Sequence, residues 1–317
     1  MSFSTSGRAV PYRDQTTPTR RGTCYGFEIR SRLDFHYLRG GTGEPLEVGA
    51  VRPPEGALGE LLRSWDPPVF PVRVRLYGEG GRYRISNGDA GWFTVDPDAG
   101  HVGVPAHGDE VRREERTWGF PAMLCFLARG DLALHASSVQ VNGRALLLAA
   151  PRRFGKTTLA AAFAAAGHRV LAEDLTCLRP GPEPAVVPGP AMLRLRRDVA
   201  DHLAVPGTTE VGRDEDRVHL ALDAGRGTCE PVPVGGIALL LEGDGEPTMQ
   251  PAPPADVVRD LWALSFKLPS DTARSRCLAT VSQVASTVPV WHLTRPLRLD
   301  ALEPTMERLR EEMARAG

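Results

Sequence analysis

The chain has 317 residues, of which 42% are hydrophobic, and its formal net charge is −1. This length allows one large domain or two ordinary ones, and no apolar run approaches the roughly 18 residues of a membrane-spanning helix. A net charge so close to zero creates no general attraction to nucleic acid or to a membrane surface, so neither is expected as a partner. The polar N-terminus lacks the apolar segment of a secretory signal, and residues 1–22 are predicted to be a disordered leader.

The cysteines are dispersed, and neither they nor the histidines show the spacing of metal ligands. We therefore expect free thiols in a reducing compartment and a cytoplasmic protein. The five cysteines are Cys24, Cys125, Cys177, Cys229 and Cys277.

Residues 23–130 are predicted to form a β-rich N-terminal module. The stretches VFPVRVRLYG, GRYRIS and GWFTV have the composition or alternation of strands and are separated by Gly, Asp and Pro. The charged run DEVRREER that follows is interpreted as a solvated surface. WGFPAMLCFLARG then predicts a short buried helix that closes the module and ends at Gly130.

Residues 131–317 have a different pattern, which predicts an α/β domain. Two apolar runs flank Asn142-Gly143, the dipeptide most typical of a β-hairpin turn. An alanine-rich helix ending at Gly167 follows, and then the short strand HRVLAED, so that strand, helix and strand form a parallel crossover unit. GIALLLEGDG and PVWHL predict further strands, while PADVVRDLWALSFKL, RCLATVSQVASTV and ALEPTMERLREEMARA predict helices.

The segment between the second hairpin strand and the alanine-rich helix has the form of a phosphate-binding loop. It reads APRRFGKTT, which is the pattern G-x-x-x-x-G-K-[ST] with Ala150 in place of the first glycine. Backbone N–H groups of such a loop surround phosphate oxygens, the lysine reaches the β- and γ-phosphates, and the following hydroxyl binds Mg²⁺. Only two of the 38 basic residues are lysines, Lys156 and Lys267, and one of them occupies this position. The predicted nucleotide-binding residues are Arg152, Arg153, Phe154, Gly155, Lys156, Thr157 and Thr158.

A histidine and two acids are expected beside this loop. A turn at Asn142-Gly143 pairs His135 with Ala150 across the hairpin, and Glu173 and Asp174 end the strand after the helix. Ligands of open α/β sheets bind at the carboxyl edge of the strands, so these segments should converge there. One acid would hold Mg²⁺ or its water and the other would accept the proton of an attacking hydroxyl, on opposite faces of the strand.

Each of these residues also has a simpler interpretation. His135 could be a buried histidine with its hydrogen bonds satisfied, and the two acids could form a solvated turn. Arg152 and Arg153 could be ordinary surface arginines or could clamp phosphate.

The stretch LALHASSVQVNGRALLLAAPRRFGKTTLAAAFAAAGHRVLAEDLTCL resembles the C-terminal domain of the HPr kinase/phosphorylase family, and most of all its shorter relatives in peptide-modifying and biosynthetic clusters. The resemblance extends over about residues 131–298 and implies an ATP-dependent serine kinase on a phosphoenolpyruvate-carboxykinase-like fold. It implies that His135 and Asp174 are the catalytic pair, with Asp174 as the base. Glu173 stands at a position that is usually Asp in the family.

The same resemblance implies that Lys156 and Thr157 contact nucleotide and Mg²⁺, and it suggests a homo-oligomer. In the segment LRLRRDV it loosely matches Arg194 and Arg196 to a strand that faces the site, although outward-facing arginines fit the pattern equally well. The N-terminal module resembles that of the relatives only loosely.

Two departures from the family pattern lie in the loop, namely Ala150 and the bulky PRRF segment. Because Gly155, Lys156 and Thr157 remain, we predict a loop with an adjusted backbone that still works. The predicted function is an ATP- and Mg²⁺-dependent kinase acting on a hydroxyl, either a serine of a small peptide or a small biosynthetic metabolite. The alternatives are a non-catalytic nucleotide-binding or scaffold protein with a degenerate loop and, third, an ATPase switch without an acceptor.

Overall fold

The computed structural model describes residues 18–67, 72–88, 90–223 and 229–316. Most of the predicted leader, residues 1–17, lies outside the described residues. The first strand begins at Thr19, so regular structure starts before the predicted module boundary at residue 23.

The N-terminal module is built on one twisted sheet. Its strands are β1 (Thr19–Cys24), β2 (Phe27–Ser31), β3 (Glu44–Val51), β4 (Glu60–Trp65), β5 (Val74–Glu79), β6 (Arg82–Asn87), β7 (Gly91–Asp96) and β8 (His101–Pro105). They are ordered β1-β2-β3-β8-β7-β6-β5-β4, with β2, β3 and β8 parallel and the other neighbours antiparallel. Strands β5 to β7 lie in the stretches predicted as strands, and residues 69–71 of the first stretch lie outside the described residues.

Two helices close this sheet, α1 (Glu110–Thr117) and α2 (Phe120–Arg129). The second ends at Gly130 with φ 100°, as predicted. The interpretation of DEVRREER as a solvated surface is wrong for two of its acids. Glu114 is 2% exposed and accepts hydrogen bonds from the N–H groups of His36 and Tyr37 at 2.6 and 2.9 Å, and Glu115 is turned inward as well. Loop N–H groups draw the Glu114 carboxylate inward, and Glu115 instead contacts the Tyr37 hydroxyl and the His219 ring.

The remaining strands belong to an α/β part of the chain. They are β9 (Leu132–Leu134), β10 (Ala136–Val141), β11 (Arg144–Ala149), β12 (Arg169–Ala172), β13 (Thr176–Arg179), β14 (Ala185–Val187), β15 (Met192–Arg196), β16 (Thr208–Arg213), β17 (Arg217–Leu222), β18 (Val232–Glu242), β19 (Thr248–Pro251), β20 (Ser265–Phe266) and β21 (Val290–Arg295). The helices are α3 (Lys156–Ala165), α4 (Arg197–His202), α5 (Pro254–Leu264), α6 (Asp271–Thr287) and α7 (Leu302–Ala316), with a 3₁₀ turn at Leu299–Ala301.

The hairpin of β10 and β11 has the predicted register. Asn142 and Gly143 adopt φ angles of 50° and 80°, as their turn type requires, and Ala136 pairs with Ala149. The crossover through α3 differs from the simplest expectation because β12 pairs with β10 and not with β11. Since β10 is antiparallel to both, β11 and β12 still run in the same direction.

The large sheet has the order β12-β10-β11-β18-β14-β13-β9-β20, and β21 and β19 continue from β18. Strands β11, β18 and β21 are parallel, so their carboxyl ends lie at one edge. A small antiparallel sheet of β15, β17 and β16 packs beside it. The structure is therefore a mixed α/β fold with several sheets and a β-rich N-terminal module.

The two predicted domains share a hydrophobic core. One buried cluster combines residues of the first sheet and α2 with Ala133, Cys177 and Val187 of the α/β part. All five cysteines are buried and free. No helix in the described part of the chain is both long and apolar enough to cross a membrane.

Arg39 of the N-terminal module forms buried hydrogen bonds to the α/β part of the chain. It is 4% exposed, and its guanidinium donates to the carbonyl oxygens of Gly189 and Val170 at 2.8 Å and of Leu171 at 3.2 Å. We expect Arg39→Met to lower the free energy of unfolding in urea by about 3 kcal/mol, because buried acceptors would lose a charged donor. Arg30→Met, which removes an exposed arginine paired with Glu28, is the matched control and should change stability little. Equal stability of the two variants would contradict the expectation.

Candidate functional site

The candidate site lies at the carboxyl edge of the parallel strands. The loop of residues 150–155 leaves β11 there and enters α3, which begins at Lys156. His135 lies just before β10, next to the pair Ala136 and Ala149, and its backbone N–H donates to Leu264 at 2.9 Å. Glu173 and Asp174 follow β12 directly. The predicted convergence of three distant segments is therefore found.

The loop accommodates its unusual residues without a glycine at its start. Ala150 is 1% exposed, does not adopt a positive φ angle, and packs in the core that surrounds α3. A left-handed conformation occurs instead at Arg153, with φ 70°, and at Gly155, with φ 75°. Phe154 is half-buried against the same core. The positive φ angles of this loop therefore lie at Arg153 and Gly155 and not at Ala150, and the predicted working loop stays a prediction.

Arg295, at the end of β21, contacts the backbone of this loop. It is 2% exposed and donates from Nη2 to the carbonyl oxygens of Phe154 and Gly155 at 3.1 and 3.4 Å. A Cβ on Gly155 would lie 2.4 Å from that nitrogen, so a side chain there would displace the arginine. Burial lowers the pKa of Arg295. The sequence analysis did not identify Arg295 as a site residue, because the sequence shows only a basic residue at the end of an apolar strand.

Lys156 is folded back onto its own loop. Its Nζ donates to the carbonyl oxygens of Ala150 and Pro151, both at 2.9 Å, and the residue is 5% exposed. Burial lowers the pKa of Lys156, against the charges of Asp174 and Glu173, which raise it. The backbone N–H groups of residues 155–158 donate to no loop carbonyl among the described residues. The lysine and these N–H groups are placed to bind an anion.

Thr157 and Glu173 meet directly. The Thr157 hydroxyl donates to Oε1 of Glu173 at 2.8 Å, and Arg194 donates from Nε to Oε2 at 2.8 Å. Glu173 is 2% exposed, so the contacts from these two residues satisfy a charge that water cannot reach. Arg194, which the sequence placed only loosely, is therefore part of the site.

Asp174 is the exposed member of the acid pair. Its side chain is 50% exposed, its Oδ1 lies 3.0 Å from Nε2 of His135, and its Oδ2 lies 3.6 Å from Nη2 of Arg194. The two acids do diverge, but strand alternation is not the reason, because Asp174 has left the strand and adopts φ 65°. Burial would raise the pKa of Asp174, yet the His135 hydrogen bond and the charges of Arg194, His135 and Lys156 lower it well below its usual value.

The other predicted residues are placed less closely. Arg152 and Arg153 are exposed, and Thr158 is half-buried in the first turn of α3. Arg196 is exposed and donates from two nitrogens to Asp198 at 3.0 and 2.6 Å, and not to Glu173 or Asp174. The structure therefore gathers His135, Lys156, Thr157 and the two acids, together with Arg194, and leaves Arg196 outside.

Thr157 and Glu173 fit a magnesium ion whose other ligands are phosphate oxygens and water. Within the described ranges no group of three or more His, Cys, Asp or Glu side chains could hold a metal by itself. Mg²⁺, however, usually takes only one or two protein carboxylates and completes its shell with phosphate oxygens and water. The adjoining Thr157 hydroxyl and Glu173 carboxylate match that requirement.

Two further residues extend the site in a way that the sequence did not suggest. Glu115 of α1 and His219 of β17 bond each other, and Arg194 is the cross-strand partner of His219. Glu115 lies in the run interpreted as a solvated surface, and the sequence analysis singled out no residue of β17.

No protein-family model matches the chain, and no curated protein matches it. Among solved structures, the chain is similar to the HPr(Ser) kinase/phosphatase from Coxiella burnetii, with 12% sequence identity and a TM-score of 0.30 over 58% of this chain and 99% of that chain. A TM-score of 0.30 does not establish a shared fold. The function must therefore be inferred from the geometry of the site.

Proposed function

We propose that the protein is an ATP- and Mg²⁺-dependent kinase that transfers the γ-phosphate to a hydroxyl group. The observation that carries the proposal is the contact of Thr157 with Glu173, beside a half-exposed Asp174 paired with His135. A loop lysine, a hydroxyl, a buried acid and an accessible acid are the groups that phosphoryl transfer uses.

The triphosphate would lie over the N-terminus of α3, where the N–H groups of residues 155–158 and the helix dipole favour negative charge. Lys156 would exchange its bonds to Ala150 and Pro151 for the phosphate oxygens. Thr157 and Glu173 would hold Mg²⁺, which supplies charge neutralisation on the transferring phosphate when it is bound.

Asp174 would receive the proton of the acceptor. The acceptor oxygen forms a bond to the γ-phosphorus, the bond from that phosphorus to the bridging oxygen breaks to release ADP, and the hydroxyl proton passes to the carboxylate. His135 lies 3.0 Å from Oδ1 of Asp174, so the proton would pass to Oδ2, whose contact with Nη2 of Arg194 is the longer one at 3.6 Å. The lowered pKa of Asp174 keeps it ionised, and a loose transition state demands little base strength.

The leading acceptor is a serine of a small peptide, and a small biosynthetic metabolite is the second choice. The support for the peptide is the sequence resemblance described above. The support for a hydroxyl in general is the exposure of Asp174, which an acceptor can reach from solvent.

A second function, a non-catalytic nucleotide-binding or scaffold protein, is favoured by one observation. Lys156 is satisfied by loop carbonyls, and Glu173 is satisfied by Thr157 and Arg194. If nucleotide cannot compete with these bonds, the loop remains closed.

Binding of Mg-ATP separates the kinase from a scaffold whose loop remains closed. We expect millimolar Mg-ATP to raise the melting temperature by about 5 °C, since a ligand at 100 times its Kd adds about 2.7 kcal/mol to the native state. Differential scanning fluorimetry measures this shift, with Mg²⁺ plus AMP and ATP plus EDTA as controls. The absence of any shift at millimolar nucleotide would favour the scaffold function.

A further inference from the structure

Arg194, which contacts both site acids, is the cross-strand neighbour of His219, and His219 is bonded to Glu115. Arg194 on β15 and His219 on β17 are directly opposite each other in the antiparallel register. Opposed residues of this kind project from the same face of a sheet, within about 5.5 Å at Cβ. His219 is thus an immediate neighbour of the arginine that contacts both site acids.

His219 bridges two carboxylates. Its Nδ1 lies 2.5 Å from Oε1 of Glu115, and its Nε2 lies 3.1 Å from Oδ2 of Asp214. The Tyr37 hydroxyl donates to the same Oε1 of Glu115 at 3.2 Å. Both ring nitrogens can donate at once only in the imidazolium form. The hydrogen bond to Glu115, and then its charge and Asp214, raise the pKa of His219 in spite of burial.

Glu115 is a potential competitor for Arg194. The charge of Glu115 helps to raise the pKa of Arg194, and Arg194 in turn helps to lower that of Glu115, yet the carboxylate is bonded to His219 and Tyr37. The arginine keeps its own bonds to Glu173 and Asp174. A third carboxylate released beside a guanidinium would draw it away from the other two.

We propose that His219 is a positioning residue: it holds Glu115 of the N-terminal module, so that Arg194 stays on Glu173 and Asp174. The N-terminal module thereby sets the geometry of the acids that the proposed kinase uses, and the effect on catalysis rests on that proposed function. Among the described residues, Arg194 connects this pair to the acids, as the cross-strand partner of His219 and the ion-pair partner of Glu173 and Asp174. His219 contacts neither acid in the described part of the chain.

The first test asks whether His219 is charged in the folded protein. A raised pKa in the folded state contributes stability that is complete below the unfolded value of about 6.5 and is lost as pH rises through the folded value. The difference in unfolding free energy between wild type and His219→Gln should therefore be largest near pH 6 and shrink at higher pH. A difference that does not change with pH would overturn the proposal. The groups that face His219 are Glu115 on α1, Asp214 before β17, Arg194 on β15, Glu210 on β16 and the Tyr37 hydroxyl.

The second test uses rescue. His219→Gln should lower kcat about tenfold and leave KM for ATP near the wild-type value, because the acids are misplaced while the phosphate loop is intact. Adding Glu115→Gln removes the competing charge and should recover most of the loss. Glu110→Gln, an exposed acid on the same helix, is the control. A double variant that is no more active than His219→Gln would overturn the proposal, since a merely structural pair gives additive damage.

The third readout does not depend on kinase activity. The Nε–H signal of Arg194, identified in ¹H–¹⁵N spectra with Arg194→Lys, reports its bond to Glu173. It should move in His219→Gln and return in the double variant. If the Arg194 signal does not move in His219→Gln, the positioning proposal is wrong, even when the protein is an active kinase. A wild-type chain without phosphate transfer defeats the proposed function, and the Arg194 signal then decides whether the pair controls the arginine.

Discussion

Replacing Asp174 with Asn should lower kcat for phosphate transfer by about a thousandfold, within the range expected for loss of a general base, and leave the affinity for Mg-ATP nearly unchanged. The amide keeps the size of the side chain but cannot take up the hydroxyl proton. Binding should survive because Lys156, Thr157 and Glu173 contact the loop side of the site and remain intact.

Steady-state transfer from labelled ATP measures kcat, and calorimetry on the same variant measures binding. Asp300→Asn is the matched control, since Asp300 is an exposed aspartate paired with Arg298. If Asp174→Asn transfers phosphate at the wild-type rate, Asp174 is not the base. If it loses nucleotide binding as well, its part is structural.

Lys156→Met should act on nucleotide binding and not mainly on kcat. It should weaken Mg-ATP binding about 100-fold, because the charged hydrogen bonds to the phosphates are lost. The chain provides a close control in Lys267, its only other lysine, which also donates to two backbone carbonyls, those of Trp262 and Ser265. Lys267→Met removes an equal charge with similar bonds from a place outside the loop.

Fluorescence or calorimetric titration with Mg-ATP should therefore separate the two variants, and thermal denaturation should show that both are folded. Equal affinity of Lys156→Met and Lys267→Met for nucleotide would mean that the loop does not bind phosphate. That result would favour the scaffold function over the kinase.

Local patterns were sufficient for the hairpin of β10 and β11 and for α3. The register of β10 and β11 follows from a two-residue turn whose φ angles only residues such as Asn and Gly adopt readily, so Asn142-Gly143 fixes every pair of the hairpin. The body of α3 and its end before Gly167, which has φ 89°, follow from helix propensity and C-terminal capping. In contrast, a composition of charged residues was a poor guide to burial in α1, where Glu114 and Glu115 are inside.

The candidate site could be predicted only where its residues are tied to such local elements. His135, Lys156 and the two acids stand at the ends of predicted strands and a helix. Arg295 and Glu115 lie 141 and 104 residues from their partners Phe154 and His219, and no local pattern brings them together. Their contacts exist because elements that are far apart in the chain pack together, which is a property of the whole fold.

By itself, the sequence determined the phosphate-loop pattern, the turn that places His135 beside it, and the two acids that directly follow β12. The tertiary structure alone decided that β10 separates β11 from β12, that Asp174 turns into a left-handed conformation, and that Arg194 joins both acids. The physical reason is that turns and helix ends depend on the backbone preferences of a few adjacent residues. Buried charges, in contrast, must find partners wherever packing of the whole chain places them.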